Sequence, residues 1–174
     1  LINTGKTGSV AELPHGLRGL VSYGVLRIFV PSGEDKKNIK FDKHLVIPGA
    51  TIIEETGDMV LTSVEKRHVV DKYAPVSYNS LVQFFDYEKL NKGINLRNRR
   101  DGDIFKPLGS NGTKKLKEYF IDMKIPRELR DEIPLVCINN EVVWVVGHKI
   151  SDKFKVTENT NYILKIEYKR RALL

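Results

Sequence analysis

Short runs of alternating apolar and polar residues dominate the first half of the chain and predict strands. Three such stretches, separated by turn-forming residues, are residues 19–30, 44–55 and 58–67. The predicted turns are rich in Gly, Pro, Asn and Asp and fall at residues 31–38, 48–49 and 56–58. We therefore expect a small antiparallel sheet, with residues 1–15 as a Gly- and Thr-rich connector before it and residues 77–93 as a link after it.

The second half adds helical periodicity. Thr113 is suited to cap a helix, and Pro126 is suited to the first turn of a second short helix that runs through Asp131. The apolar positions of the first helix recur at helical spacing: Leu116, Tyr119, Phe120 and Met123. The lysines between them predict an amphipathic helix with a basic outer face.

Strand patterns return towards the end of the chain. Residues 133–138 and 142–147 are apolar runs on either side of Asn139 and Asn140, a combination typical of a hairpin. Residues 162–168 predict a final strand. The chain is therefore expected to be an α+β protein, with a small antiparallel β-rich domain at residues 1–92 and a compact α+β domain at residues 93–174.

Charge is distributed unevenly between these two parts. Residues 1–88 carry 10 Lys and Arg against 11 Asp and Glu, whereas residues 89–174 carry 19 against 11. A basic second half favours an anionic partner, most plausibly nucleic acid, although lysines that only keep a domain soluble explain the charge equally well. The single cysteine, Cys137, excludes an internal disulfide and suits a reducing cytoplasm, and no apolar run is long enough to cross a membrane.

Ten basic residues form the candidate nucleic-acid site. They are Arg97, Arg99, Arg100, Lys106, Lys114, Lys115, Lys117, Lys124, Arg127 and Arg130. Arginine presents a planar fork that suits phosphate oxygens, lysine adds a mobile point charge, and the predicted helix start would add backbone N–H groups. Nearby acids offer the opposing interpretation, so we expect about half of the ten to be structural. Arg99 and Arg100 could pair with Asp101 and Asp103, and Arg127 and Arg130 could pair with Glu128, Asp131 or Glu132.

Other candidate chemistry is weak. Gly5-Lys6-Thr7 is similar to the end of a phosphate-binding loop, but no immediate helix follows it. The four histidines have no metal-binding spacing, and Asp101-Gly102-Asp103 favours a turn held by ion pairs over a magnesium site. The sequence therefore predicts no catalytic residue, no metal site and no cofactor site in this chain.

The order of motifs in the second half resembles the C-terminal domain of the tRNA(Ile)-lysidine synthetases. The matching elements are RRDGD at 99–103, PLG at 107–109, Gly112, KKLK at 114–117, YFID at 119–122, KIPR at 124–127, RD at 130–131, IPLV at 133–136, VWVVG at 143–147, ISD at 150–152 and FKVT at 154–157. Upstream, LPHGL at 13–17 and Phe85-Asp86 resemble the family's middle domain more weakly.

The resemblance implies a function for this part of such an enzyme. These ligases use ATP to adenylate the wobble cytidine of the tRNA(Ile) anticodon, and lysine then displaces AMP. Their catalytic domain lies N-terminal, carries a Ser-Gly-Gly-x-Asp-Ser loop that this chain lacks, and would hold ATP and Mg²⁺. The implied role of this chain is to grip the body and acceptor stem of tRNA(Ile), with the catalytic domain as its other partner.

Two alternatives stay open from the sequence. The chain could be a module that docks onto the catalytic domain or forms a homodimer, with RNA contact secondary. It could also be an independent nucleotide-binding enzyme built on Gly5-Lys6-Thr7.

Overall fold

The computed structural model describes residues 7–29, 39–67, 81–90 and 93–171. Within these ranges the strands are β1 (Val10–Leu13), β2 (Leu17–Ser22), β3 (Val25–Phe29), β4 (Asp42–His44), β5 (Gly49–Ile53), β6 (Asp58–Lys66), β7 (Val82–Asp86), β8 (Asn95–Arg97), β9 (Ile104–Phe105), β10 (Lys114–Lys115), β11 (Leu135–Ile138), β12 (Glu141–Val145) and β13 (Tyr162–Lys169). The helix α1 spans Leu116–Asp122, and short 3-10 helices occupy Pro14–Gly16, Tyr87–Leu90, Arg127–Leu129 and Asp152–Phe154. The α+β prediction is confirmed.

The first sheet contains three antiparallel strands in the order β1-β2-β3. The predicted connector at residues 1–15 is wrong over β1, because Val10–Leu13 pair with β2 across a tight turn at His15 and Gly16, both with positive φ. β2 and β3 form a hairpin through Tyr23 and Gly24, whose φ angles are 48° and 80°. Positive φ at both positions matches the twist that two-residue hairpins favour.

The second sheet contains six strands in the order β10-β9-β12-β11-β8-β4. Its centre is the β11–β12 hairpin, which confirms the pair of strands predicted around Asn139 and Asn140. The third sheet has the order β5-β6-β13-β7, so the predicted final strand lies between β6 and β7. Between β4 of the second sheet and β5 of the third, the chain bends at Ile47 and Pro48, next to the turn predicted at residues 48–49.

Residues 81–90 form a strand and a 3-10 helix rather than a link. β7 pairs with β13 along Val82–Asp86, and Leu90 in the following helix is 2% exposed. Its strand partner, residues 163–167, lies far away along the chain. Residues 77–80 and 91–92 of the predicted link, and the predicted turn at 31–38, lie outside the described residues.

Two hydrophobic clusters lie on opposite faces of the β11–β12 hairpin. Val136, Val143 and Trp144 belong to the larger cluster, which extends from Phe41 to Tyr168. A smaller cluster lies under α1: Phe105, Leu116, Tyr119, Phe120, Ile125, Leu135, Cys137, Val142 and Val145. Burial on both faces explains why this hairpin is a continuous apolar run instead of an alternating pattern.

Strands from both sides of residue 92 share two of the three sheets. β4 hydrogen-bonds with β8, and β13 pairs with both β6 and β7. The larger hydrophobic cluster likewise contains residues from both parts. Backbone hydrogen bonds therefore connect residues 1–92 with residues 93–174. The division into two domains at this point stays a prediction.

Candidate nucleic-acid interface

Arg97, the first of the ten basic residues, lies inside the protein. Its side chain is 2% exposed, and its guanidinium donates to the two carboxylate oxygens of Asp103 at 3.0 and 2.7 Å. It also donates to the backbone carbonyls of Asn98 and Asn139, at 2.9 and 2.7 Å. Because its charge is neutralised internally and water does not reach it, we leave Arg97 out of the proposed interface.

Asp103 organises the turn that follows β8. Gly102 has a φ of 88°, which favours glycine, and the turn lets the Asp103 carboxylate accept the Arg100 backbone N–H at 2.7 Å. Asp103 is 3% exposed and faces Arg97. The prediction that Asp101-Gly102-Asp103 is a turn held by an ion pair is confirmed, although its cation is Arg97 rather than Arg99 or Arg100.

The next three basic residues are ion-paired with acids far away in sequence: Arg99 with Asp131, Arg100 with Asp42, and Lys106 with Asp152. The Lys106 ammonium is 3.8 Å from an Asp152 oxygen. Hydrogen bonds from the Lys155 ammonium and the Gly109 backbone N–H also lower the pKa of Asp152. Acids therefore partly neutralise this side of the predicted basic set.

The first helix begins two residues later than predicted, at Leu116. Lys114 and Lys115 pair with Phe105 and Ile104 as the short strand β10, so Thr113 does not cap the helix. The backbone N–H of Leu116, the first helical residue, donates to the Asp103 carbonyl at 2.9 Å. Pairing with β9 takes the place of a side-chain cap, and the first helical N–H is already bonded to a backbone carbonyl. The predicted anion site at the helix start is therefore not supported.

The end of α1 is closed by a Schellman motif. The Ile125 N–H donates to the Phe120 carbonyl and the Lys124 N–H donates to the Ile121 carbonyl, both at 2.9 Å. Lys124 occupies the left-handed position with a φ of 53°, where glycine is usual. Ile125 is buried against Phe120 in the smaller cluster, so the chain turns sharply and presents Lys124 to solvent.

Arg130 is a structural residue rather than a surface cation. It is 8% exposed, and its Nε donates to the Ile125 carbonyl at 2.9 Å. One of its terminal nitrogens donates to the Tyr23 hydroxyl at 3.1 Å, which connects the tip of the β2–β3 hairpin to this turn. The second predicted helix shortens to the 3-10 turn Arg127–Leu129. We therefore leave Arg130 out of the interface as well.

Four of the ten candidates are exposed and have no acidic partner in the described part of the chain: Lys115, Lys117, Lys124 and Arg127. Lys114 differs, because its ammonium is 2.7 Å from an Asp122 carboxylate oxygen. The sequence could not distinguish the free cations from the ion-paired ones, because Asp42 and Asp131 come close to their arginine partners only in the folded chain. The free cations thus cluster on residues 115–127.

The remaining reactive side chains have other roles. Burial raises the pKa of the Cys137 thiol to about 12, which leaves it protonated and inert. Burial also lowers the pKa of His148, which disfavours a charged contact with phosphate. Lys6 lies outside the described residues, and the Thr7 hydroxyl accepts the Tyr23 backbone N–H at 3.1 Å.

An open cavity of about 400 Å³ lies beside the β11–β12 turn. Its lining is mainly polar: Glu88, Lys89, Ile138, Asn139, Asn140, Glu141, Lys153 and Phe154. Both carboxylate oxygens of Glu141 accept from Lys153, at 2.9 and 2.7 Å, so these two charges neutralise each other.

Within the described ranges, no group of three or more His, Cys, Asp or Glu could hold a metal. No helix there is long and apolar enough to span a membrane.

The fold and its basic segment match a known class of domain. Residues 94–167 match the family described as "TilS substrate C-terminal domain". A solved structure titled "Crystal structure of TILS C-terminal domain" aligns with a TM-score of 0.62 and 25% identity. The alignment covers 77% of this chain and 99% of that one.

Curated relatives extend the match to nearly the whole chain. A tRNA(Ile)-lysidine synthase of Caldanaerobacter subterraneus subsp. tengcongensis is 46% identical over 93% of this chain and 33% of its own length. One from Clostridium tetani is 39% identical over 95% of this chain and 35% of its own. Over nearly its whole length the chain is therefore similar to the C-terminal region of tRNA(Ile)-lysidine synthases. It spans about a third of the length of the curated relatives it matches.

Proposed function

We propose that this chain binds tRNA(Ile) and holds its body and acceptor stem for the catalytic part of a tRNA(Ile)-lysidine synthase. The observation that carries the proposal is the group of exposed cations on residues 115–127 that have no acidic partner in the described ranges. The similarity to tRNA(Ile)-lysidine synthases suggests which anion binds here, because those relatives are named for a tRNA substrate. Unpaired surface cations are suited to phosphates because releasing counterions from RNA favours binding.

The parent reaction is proposed from the family. ATP would adenylate the wobble cytidine of the anticodon, and the amine of lysine would then displace AMP. ATP and Mg²⁺ would be bound by an N-terminal catalytic domain, and the enzyme would work in the cytoplasm, where its tRNA is found. This chain would contribute binding energy and position rather than a reacting group.

The free cations suit recognition of RNA shape rather than sequence. A duplex of RNA has a deep, narrow major groove that side chains do not read, so contacts to phosphates and 2′-hydroxyls dominate. Lysine, which makes up three of the four free cations, provides a mobile charge without the bidentate geometry that reads a base edge. The proposal therefore assigns affinity to residues 115–127 and leaves discrimination among tRNAs to other contacts.

Charge removal tests the proposal. Replacing Lys115 and Arg127 with alanine should weaken binding of tRNA(Ile) about tenfold and reduce the slope of log affinity against log salt by about 2, because two phosphate contacts are lost. The matched control replaces Lys165 and Lys169, which both pair with Glu167 on the third sheet, and removes the same charge elsewhere. Equal weakening by both double variants would mean that only net charge matters and would refute a localised site.

A docking role is the second candidate, and the β3 strand favours it. All five of its residues are exposed although four are apolar: Val25, Leu26, Ile28 and Phe29. An apolar edge strand of this kind is a common template for pairing with another chain, either the catalytic domain or a second copy. Gel filtration and a tRNA shift assay separate the two functions, since a dimer without affinity for tRNA would support docking.

A further inference from the structure

One side of α1 combines an exposed isoleucine with the free lysines. Leu116, Tyr119 and Phe120 face the core, whereas Ile121 is 45% exposed. Lys117 is four positions before Ile121, and residues with this spacing are neighbours on a helix surface. Glu118, three positions before Ile121, borders this side, and Asp122 is ion-paired with Lys114.

The Schellman motif extends this side beyond the helix. Lys124, three positions after Ile121, follows the end of the helix in the left-handed conformation, whereas Met123 is two positions from Ile121 and lies on a different side. Lys117 and Lys124 are seven positions apart, roughly 10 Å along the axis of a helix. Two cations without acidic partners in the described ranges therefore flank the exposed Ile121, and we call Lys117, Ile121 and Lys124 the α1 side face.

We propose that the α1 side face docks against the shallow minor groove of an RNA duplex, with its lysines on phosphates and Ile121 against the ribose edges. The inference rests on the proposed tRNA-binding function and adds the groove and the chemistry of contact. The minor groove of A-form RNA is wide and displays riboses, whereas the major groove is too deep and narrow for these side chains. Lysines alone would serve any polyanion, but the isoleucine between them requires apolar surface on the partner.

Salt dependence separates the two kinds of contact. Lysine contacts to phosphate release counterions and steepen the dependence of affinity on salt, whereas burial of Ile121 contributes the same free energy at every salt concentration. Loss of the isoleucine should therefore displace the plot of log affinity against log salt without changing its slope. Loss of a lysine should change the slope.

The experiment measures binding of the 174-residue chain to a blunt RNA duplex of about 16 base pairs and to a DNA duplex of the same sequence, across a salt series. Ile121→Ser should weaken RNA binding about fivefold at every salt concentration and leave the slope unchanged. Lys117→Ala should make the slope shallower by about 1. The effect of Ile121→Ser on DNA should be below about twofold, because the minor groove of B-form DNA is narrow.

Ile52→Ser is the matched control, since Ile52 is 61% exposed on β5 and outside the α1 side face. It should leave RNA affinity unchanged, and thermal melts would show that each variant is folded. If Lys117→Ala weakens binding but Ile121→Ser does not, Ile121 does not contact the RNA and the inference is overturned while the proposed function stands. If the unaltered chain binds neither the duplex nor tRNA(Ile), the proposed function itself fails.

Discussion

At the residue scale, Lys124 has a backbone conformation that destabilises the fold and a side chain that is proposed to bind RNA. A left-handed conformation costs a residue with a side chain roughly 1–2 kcal/mol, and glycine avoids this cost. Lys124 nevertheless occupies that position at the end of α1, with a φ of 53°. A lysine in a position that favours glycine is consistent with a role for its charge in binding.

Replacing Lys124 with glycine should therefore stabilise the protein while weakening RNA binding. Relief of the left-handed conformation, offset by the greater flexibility of unfolded glycine, should raise the free energy of unfolding by about 0.5–1 kcal/mol. Urea unfolding would measure stability, and a tRNA shift assay would measure affinity, which should fall several-fold.

Asn139→Gly is the control for this change, because Asn139 has the same φ of 53° but no charge. Asparagine tolerates this conformation better than lysine, so the gain in stability should be smaller and RNA affinity should not change. A Lys124→Gly variant with unaltered affinity would remove Lys124 from the interface.

At the element scale, the buried pair of Arg97 and Asp103 connects pieces of the second sheet that are too short to be stable alone. Arg97 ends β8, Asp103 precedes β9, and the Arg97 guanidinium also reaches the carbonyl of Asn139 in the β11–β12 turn. The Asp103 carbonyl accepts the first N–H of α1. These contacts fix the start of the segment that carries the free cations.

Breaking this pair should be costly. Arg97→Met leaves the Asp103 carboxylate buried without its cation, so the free energy of unfolding should fall by about 3–5 kcal/mol in urea denaturation. The control is Arg100→Met, because the Arg100 side chain is 59% exposed and pairs with Asp42 at the surface. An exposed pair contributes about 0–1 kcal/mol, so comparable losses in the two variants would contradict the structural role assigned to Arg97.

At the scale of the whole molecule, the last strand is the centre of a sheet whose other members lie earlier in the chain. β13 pairs along its length with β6 and also with β7. Its buried residues, among them Leu164 and Ile166, belong to the larger hydrophobic cluster. The solved C-terminal domain, 99% of which aligns with 77% of this chain, is also larger than the matched family segment at residues 94–167.

The fragment 93–174 alone is therefore expected not to fold. Its β13 would lose both strand neighbours, and apolar residues that are now buried would face water. Circular dichroism and amide dispersion in NMR spectra would show a disordered fragment, and adding residues 1–92 should restore the dispersed spectrum. A cooperative urea transition for residues 93–174 alone would instead support the predicted domain boundary.

The sequence by itself determined two things: the elements that depend on local pattern, and the resemblance to a family. The β11–β12 hairpin, the core face of α1 and the turn at Gly102 follow from apolar periodicity and turn chemistry, which act between neighbouring residues. The ordered motifs from residue 99 to residue 157 resembled the family that the comparisons then supported.

Only the tertiary structure decided which cations are free. Arg99 pairs with Asp131 and Arg100 with Asp42, partners 32 and 58 positions away, and neither pairing leaves a local signal. Sheet pairing with β9 likewise displaced the predicted start of α1, because a backbone partner from another segment competes with local capping. Electrostatic and hydrogen-bond partners are set by distance in space, so the candidate interface became visible only once the chain was folded.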